Sequence, residues 1–203
     1  MIKLYGSGHS RSFRALWALE EAGLDFEYIA VTPDLLASAD YKALNAQSKI
    51  PTLVDGSLVL TESAAIVNYA ASLSAQTLVP ESHAARAEYD DFCYFVMTDF
   101  EQPLWTKGKH AFVLPEEQRK TEVIETATWE FAKSQTALQQ RMGKREFAVG
   151  EQFSMADVLL AQTLNWAQRF EMDVAPELLA YKDRHYEREA CVASLKQIEQ
   201  PAS

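Results

Sequence analysis

Three short stretches near the N-terminus carry residue types whose spacing could do chemistry. The first is "GSGHSRSFR", residues 6–14, where two glycines precede Ser10 and Ser12 at the mouth of a predicted helix. A helix N-terminus offers unpaired backbone N–H groups and a partial positive charge, so it can hold an anion. A serine at that position can equally cap the helix by accepting one of those N–H groups, and the two roles are compatible. The second is Lys49-Ile50-Pro51, an X-Pro bond at a turn, which either is cis or starts a strand in trans. The third is Glu62-Ser63, opening the helix that follows a hairpin. An acid and a hydroxyl suit a helix's first turn. Together they also suit a ligand's amino acid end: Glu62 accepts from an ammonium, while Ser63 and the helix N–H groups hold a carboxylate.

The elements that must position these residues alternate in period over residues 1–73. Ile2-Lys3-Leu4-Tyr5 reads as a strand ending at Gly6, and Ser10 to Ala22 as a helix closed by Gly23 at C′. Phe26 to Val31 is a second strand and Leu35 to Leu44 a weaker helix. Thr52-Leu53-Val54 and Leu58-Val59-Leu60 flank Asp55-Gly56, a hairpin signal for a type I′ turn. Ile66, Tyr69, Ala70 and Leu73 then recur at helical spacing. The order βαβ, helix, ββ, helix predicts a parallel pair extended by an antiparallel hairpin in one sheet.

Residues 74–82, "SAQTLVPES", read as a linker. Beyond it no strand is evident. A long helix is predicted from His83 to Lys107, bent or ended by Pro103, then helices from Glu116 to Met142 and from Met155 to Phe170, with shorter pieces over 176–198. "FSMAD", 153–157, has the Ser154/Asp157 spacing of a capping box, with Phe153 placed to staple against Val158. His83 and His185 are expected at the surface, Trp17, Trp129 and Trp166 in the core, and "KGKH", 107–110, as a solvated helix end.

The chain of 203 residues has a hydrophobic fraction of 48% and a formal net charge of -10, enough apolar matter for a core and a field that repels phosphate backbones and anionic lipid. Nucleic acid and membrane partners are therefore not expected. Residues 1–76 hold 5 Lys/Arg and 8 Asp/Glu, and 77–203 hold 14 and 21, so neither half is a basic binding module. Cys93 and Cys191 stand far apart with no CxxC, and "MIKLYGSGHS" lacks a signal peptide's apolar core, so a reducing cytoplasm is the expected compartment. No His/Cys/Asp cluster has metal spacing, and no glycine-rich phosphate loop is present.

No one of the three stretches is specific, but their order is. The βαβ–α–ββ–α order, the X-Pro before the hairpin, Glu-Ser after it and the helical second half together resemble the cytosolic glutathione transferases, bacterial in type. "SKIPTLVDGSLVLTESAAI" looks like that family's glutathione-binding segment, and "RSFRALWALEEAGLDFE" like its first helix and second strand. The resemblance spans almost the whole chain and implies a thioredoxin-like α/β domain over 1–76, with a mixed four-stranded sheet, and an all-helical domain over 83–203 that contributes the electrophile site. It implies a cis Ile50–Pro51 bond, Ile50 backbone groups that pair with the cysteinyl unit, Glu62 and Ser63 on the γ-glutamyl end, and Lys49 near the glycyl carboxylate. The position beside the sulfur falls at Ser10, which resembles the serine-type classes; Ser12 and His9 are the alternatives in the same turn, and Arg11 could stabilise a thiolate by its charge. Trp105 and Phe112 lie where the family builds its hydrophobic substrate site. The implied activity is detoxifying conjugation of glutathione to a hydrophobic electrophile by a cytoplasmic homodimer, with glutathione as co-substrate and no further cofactor or metal. Two rivals stay open: a non-catalytic interaction protein on this fold, and a glutathione-dependent peroxidase or dehalogenase.

Overall fold

The computed structural model describes residues 1–199, and these divide into two compact units. One holds Met1–Val79 together with Tyr186 and the helix that follows it; the other holds Pro80–His185.

The first unit is built on a four-stranded sheet in the order β2-β1-β3-β4. Strand β1 (Ile2–Gly6) pairs in parallel with β2 (Phe26–Ala30) and antiparallel with β3 (Thr52–Asp55), which continues the hairpin to β4 (Leu58–Leu60). Helix α1 (Ser12–Glu21) makes the crossover. It is buried on nearly every side because it packs against β1, α4 (Ser63–Leu73) and α10 (Glu189–Glu199) at once. It ends as the sequence predicts: Gly23 takes φ +66, its N–H reaches Glu20 O, and Leu24 N–H reaches Leu19 O, a Schellman pair.

Two local expectations are corrected. The predicted helix from Leu35 to Leu44 is split into α2 (Pro33–Ala37) and α3 (Ala39–Leu44). Ser38 is the cause: its hydroxyl accepts Tyr41 N–H at 3.1 Å, and its extended backbone closes one helix while capping the next. In the hairpin Asp55 is paired with Leu58, so the central turn residues are Gly56-Ser57. Only Gly56 has positive φ, the sign pattern of a type II′ turn and not the type I′ predicted with Asp-Gly at its centre.

The second unit is helical. Helix α5 (His83–Phe95) passes through a π-helical stretch, Val96–Phe100, into α6 (Glu101–Gly108) and a second π-helical stretch, Lys109–Val113. Pro103 does not end this run. The wider turn is formed just ahead of it, with Glu101 N–H reaching Val96 O, so the carbonyl that the proline ring would meet lies in the wide turn. Helix α7 (Thr121–Met142) turns Ala127, Phe131, Ser134, Leu138 and Met142 inward. Trp129 falls on the opposite face and is 64% exposed, contrary to its expected place in the core. Helix α8 (Met155–Arg169) is buried along most of its length, and α9 (Pro176–Tyr186) follows.

Asp157 holds the start of α8. Its carboxylate accepts Ser154 N–H at 2.7 Å, Ala148 N–H at 2.8 Å, the Tyr181 hydroxyl at 2.5 Å and the Ser154 hydroxyl at 3.1 Å. Burial raises its pKa, and these hydrogen bonds oppose the rise. His185, expected at the surface, is buried against Phe147, Phe153 and Tyr181 with Nε2 3.6 Å from the same carboxylate.

The helical domain is expected over 83–203. Instead α10 joins the first unit because its partners are on α1. Arg188 forms a two-point ion pair with Glu21 at 2.6 and 2.8 Å, Trp17 Nε1–H donates to the same carboxylate at 2.9 Å, and the Tyr186 ring stacks on Phe13.

Candidate functional site

The sheet's topology gathers the three chemistry-bearing stretches at one end. Strand β1 runs toward Gly6, β3 runs the opposite way from Thr52, and β4 runs back toward Leu60. The turn after β1, the loop before β3 and the start of α4 after β4 therefore all leave the sheet at the same edge, in adjacent order.

In the turn, the Ser10 hydroxyl donates to Ser7 O at 2.7 Å and accepts Ser12 N–H at 3.1 Å, so it caps the approach to α1. Ser12 is wholly buried, its hydroxyl 3.0 Å from Ser10 Oγ, and it presses on Gly6 so closely that a Cβ there would lie 2.6 Å from Ser12 Cβ. Of the two serines, Ser10 is the one with surface to offer. His9 is half-buried with its ring 6.2 Å from that of Phe13, and Arg11 sits at the helix N-cap in αR conformation, half-buried.

In the loop, the Ile50–Pro51 bond is cis, as the resemblance implies. Among the described residues neither the N–H nor the C=O of Ile50 enters a hydrogen bond. Lys49 is exposed, and its carbonyl is held from within by Tyr41 and Asn45.

At α4, Glu62 is the N-cap residue but its side chain caps nothing, and it is exposed. Ser63 is buried at 3% exposure, and its Oγ has no hydrogen-bond partner among the described residues. A capping serine would have used that oxygen on a helix N–H. The first turn of α4 thus keeps its free N–H groups beside a buried, unpartnered hydroxyl and an exposed carboxylate, a set matched to an anion with a nearby cation.

The helical unit carries an aromatic ladder. Trp105 stacks on Trp166 at 6.4 Å, Trp166 meets Phe170 at 5.4 Å, and Phe170 meets Phe112 edge-on at 5.8 Å. Phe112 is 57% exposed at the end of the ladder, and Gly108 gives Phe170 room, since a Cβ there would lie 3.2 Å from its ring. His110, in the "KGKH" stretch, accepts Lys120 N–H and so ties the π-helical turn to the segment before α7. Among the described residues no group of three His, Cys, Asp or Glu could hold a metal ion.

Sequence reasoning passed over Tyr41, Asn45 and Thr52, which hold the loop from beneath. Their only signal is composition, a Tyr and an Asn on a short helix, and nothing in the spacing points to a carbonyl eight residues on.

Comparison with known proteins identifies the family of both parts of the chain. Residues 1–72 match the model of the glutathione S-transferase N-terminal domain, and residues 101–189 that of the C-terminal domain. A glutathione S-transferase of Triticum aestivum is 31% identical over 202 residues, covering 96% of this chain and 92% of its own. A sphingomonad glutathione S-transferase solved in complex with glutathione superposes with a TM-score of 0.86 at 28% identity, covering 98% of this chain and all of that one. A theta class enzyme from Xanthomonas axonopodis pv. citri, with glutathione bound, gives 0.80 at 28% identity and near-complete coverage of both chains. With both domains found in order, and a relative matched over most of its length, the chain belongs to the glutathione S-transferase family.

Proposed function

We propose that the first unit binds glutathione, holds its sulfur as thiolate, and lets it displace a leaving group from, or add to, an apolar electrophile. The observation that carries this reading is the buried Ser63 hydroxyl without a partner, at the open first turn of α4 beside exposed Glu62. A buried polar atom of this kind costs free energy in the empty protein and is matched when a carboxylate arrives.

Each group then has a task. Glu62 accepts from the γ-glutamyl ammonium, and Ser63 with the α4 N–H groups donates to the adjoining carboxylate. The unpaired N–H and C=O of Ile50 bind the cysteinyl unit as a strand binds its neighbour. Lys49, next in the loop, takes the glycyl carboxylate, and His9 borders the peptide from the turn. Ser10 donates to the sulfur. For this its O–H turns from Ser7 O while its oxygen continues to accept Ser12 N–H. Arg11 and the α1 N-terminus favour the same charge. The thiol gives its proton to solvent and the thiolate attacks the electrophilic atom; in a displacement the leaving group departs with the electron pair of the broken bond, and in an addition the π pair moves to the far atom, which takes a proton from solvent. The chain supplies no covalent nucleophile. A free thiol titrates near ~8.5, and each unit by which its pKa falls reflects ~1.4 kcal/mol of thiolate stabilisation. Trp105 and Phe112, at the two ends of the aromatic ladder, provide an apolar face for the electrophile. A homodimer and a reducing, cytoplasmic setting complete the reading, the latter supported by two buried free thiols.

Glu62→Ala tests it. The residue is exposed, so the fold is expected to survive while the dissociation constant for glutathione rises about tenfold to a hundredfold, the range set by a charge-assisted contact. Unchanged affinity by titration calorimetry would displace the γ-glutamyl end from this helix. Aryl halides, epoxides and peroxides assayed with and without glutathione then separate transfer from peroxidase or dehalogenase activity.

A further inference from the structure

A closed hydrogen-bonded ring lies beneath the loop that precedes β3. The Tyr41 hydroxyl is 2.7 Å from Lys49 O and 3.0 Å from Thr52 Oγ1; Asn45 Nδ2 is 2.9 Å from the same carbonyl and 3.2 Å from the same hydroxyl. The proton count allows one arrangement. Tyr41 has one hydroxyl proton and gives it to Lys49 O, which cannot itself donate. Asn45 divides its two amide protons between Lys49 O and Thr52 Oγ1, and Thr52 returns its own proton to Tyr41 Oη. Every member is satisfied. Tyr41, Asn45 and Thr52 are all buried, Tyr41 to 1% exposure.

The ring is spent on a loop carbonyl one residue before Ile50. Between Asn45 and Lys49 the chain makes a tight turn: Asn45 Oδ1 accepts Gln47 N–H, Asn45 O accepts Ser48 N–H, and Ser48 is held at φ +49. A serine in that region persists only where its surroundings fix it. We infer that Tyr41, Asn45 and Thr52 are positioning residues for glutathione: by clamping Lys49 O they set the direction in which the free backbone groups of Ile50 face the peptide. This rests on the reading of the first unit as the glutathione site. Burial raises the pKa of Tyr41 above its ordinary value, so its hydroxyl remains a donor across the working range and the clamp is independent of pH there.

The test uses the full chain. Tyr41→Phe keeps the ring and its edge contact with Tyr5 but removes the donor; Thr52→Val removes the hydroxyl at equal shape, and Thr52→Ser keeps it. Glutathione dissociation constants are read by calorimetry, with KM for the electrophile and the pKa of the bound thiol as internal controls and thermal melts as a check of folding. Tyr41→Phe and Thr52→Val are expected to bind glutathione roughly threefold to tenfold more weakly, the range of one lost neutral hydrogen bond. Thr52→Ser is expected to restore affinity, and neither control to move. Folded variants that bind glutathione like the native chain would reduce the ring to a structural role and overturn the inference. Should Tyr41→Phe fail to fold, the Val/Ser comparison at 52 decides alone, and equal affinities overturn it. A native chain that binds no glutathione is a different outcome, and would remove the functional reading together with this one.

Discussion

At the scale of residues, the site separates side chains that serve the fold from those held ready for a ligand. On the proposed function Ser10 would do both, so its removal has two readouts. A hydrogen bond to a charged acceptor is worth about 1.5–3 kcal/mol, so Ser10→Ala is expected to raise the pKa of bound glutathione by about 1–2 units. Its turnover at neutral pH should fall about tenfold to a hundredfold and recover as pH climbs through the raised value. Because the same oxygen accepts Ser12 N–H, the melting temperature falls as well. Ser12→Ala, at a position with no exposed surface, is expected to lower stability and leave the thiolate pKa in place. The ultraviolet absorbance of the thiolate against pH reads both; a shift in the Ser12 variant alone moves the donor to Ser12. The protein's own thiols do not disturb this assay. Burial pushes Cys93 and Cys191 up to about 12, so at pH 8 roughly one part in ten thousand of each is thiolate. Ser63 offers the converse experiment. Its hydroxyl satisfies nothing in the free chain, so Ser63→Ala is expected to leave the melting temperature unchanged or slightly raised, yet weaken glutathione binding by about tenfold. A substantial fall in the melting temperature of the free protein would assign that oxygen a structural task.

At the scale of elements, the features with local causes were legible. Gly23 closes α1, because the left-handed C′ position asks for glycine whatever surrounds it. The Ser154/Asp157 box opens α8 for a similar reason. What the spacing did not reveal is how much else Asp157 carries. It anchors Ala148 N–H and the Tyr181 hydroxyl besides the cap. A lost cap alone costs about 1–2 kcal/mol. Asp157→Ala also orphans buried donors from two other segments, so a loss of about 3–5 kcal/mol is expected in denaturant titration. A loss near 1 kcal/mol would mean that water or a rearranged loop serves those donors. Other boundaries were decided by competition between neighbours. Ser38 divides the helix read from Leu35 to Leu44, and the hairpin turn slides one residue so that Asp55 stays in the ladder with Leu58. Pro103 is accommodated by a π-helical turn, which a pattern of period 3.6 cannot signal.

At the scale of the whole molecule, the two units are closed by different means. The first draws its last helix from the far end of the chain, through Glu21, Arg188, Trp17 and Tyr186. The second is built around buried α8. Each leaves large apolar side chains in the open: Leu58, Val59 and Leu73 in the first, Tyr94, Phe112 and Trp129 in the second. A second copy of the chain would cover some of these, and the expected particle in sedimentation is about twice the 22.8 kDa of one chain. A particle of single-chain mass at micromolar concentration would exclude the homodimer.

The amino-acid sequence by itself determined the class of fold, the three stretches that meet at one end of the sheet, and the identity of nearly every residue proposed to touch glutathione. The fold class and the three stretches follow from periodicity, turn chemistry and capping, which act over a few residues; the glutathione roles of those residues are what the family resemblance implies. Only the tertiary structure decided which of those residues have free valence. It showed Ser12 spent against Gly6, Ser63 unspent, and the groups of Ile50 open. It also showed Trp129 outside and His185 inside, and it brought Tyr41, Asn45 and Thr52 together under Lys49. The reason is physical: whether a polar atom is satisfied depends on every neighbour that folding brings within about 3 Å. The ring beneath Lys49 joins residues four to eleven positions apart, a span that neither the helical nor the strand period relates.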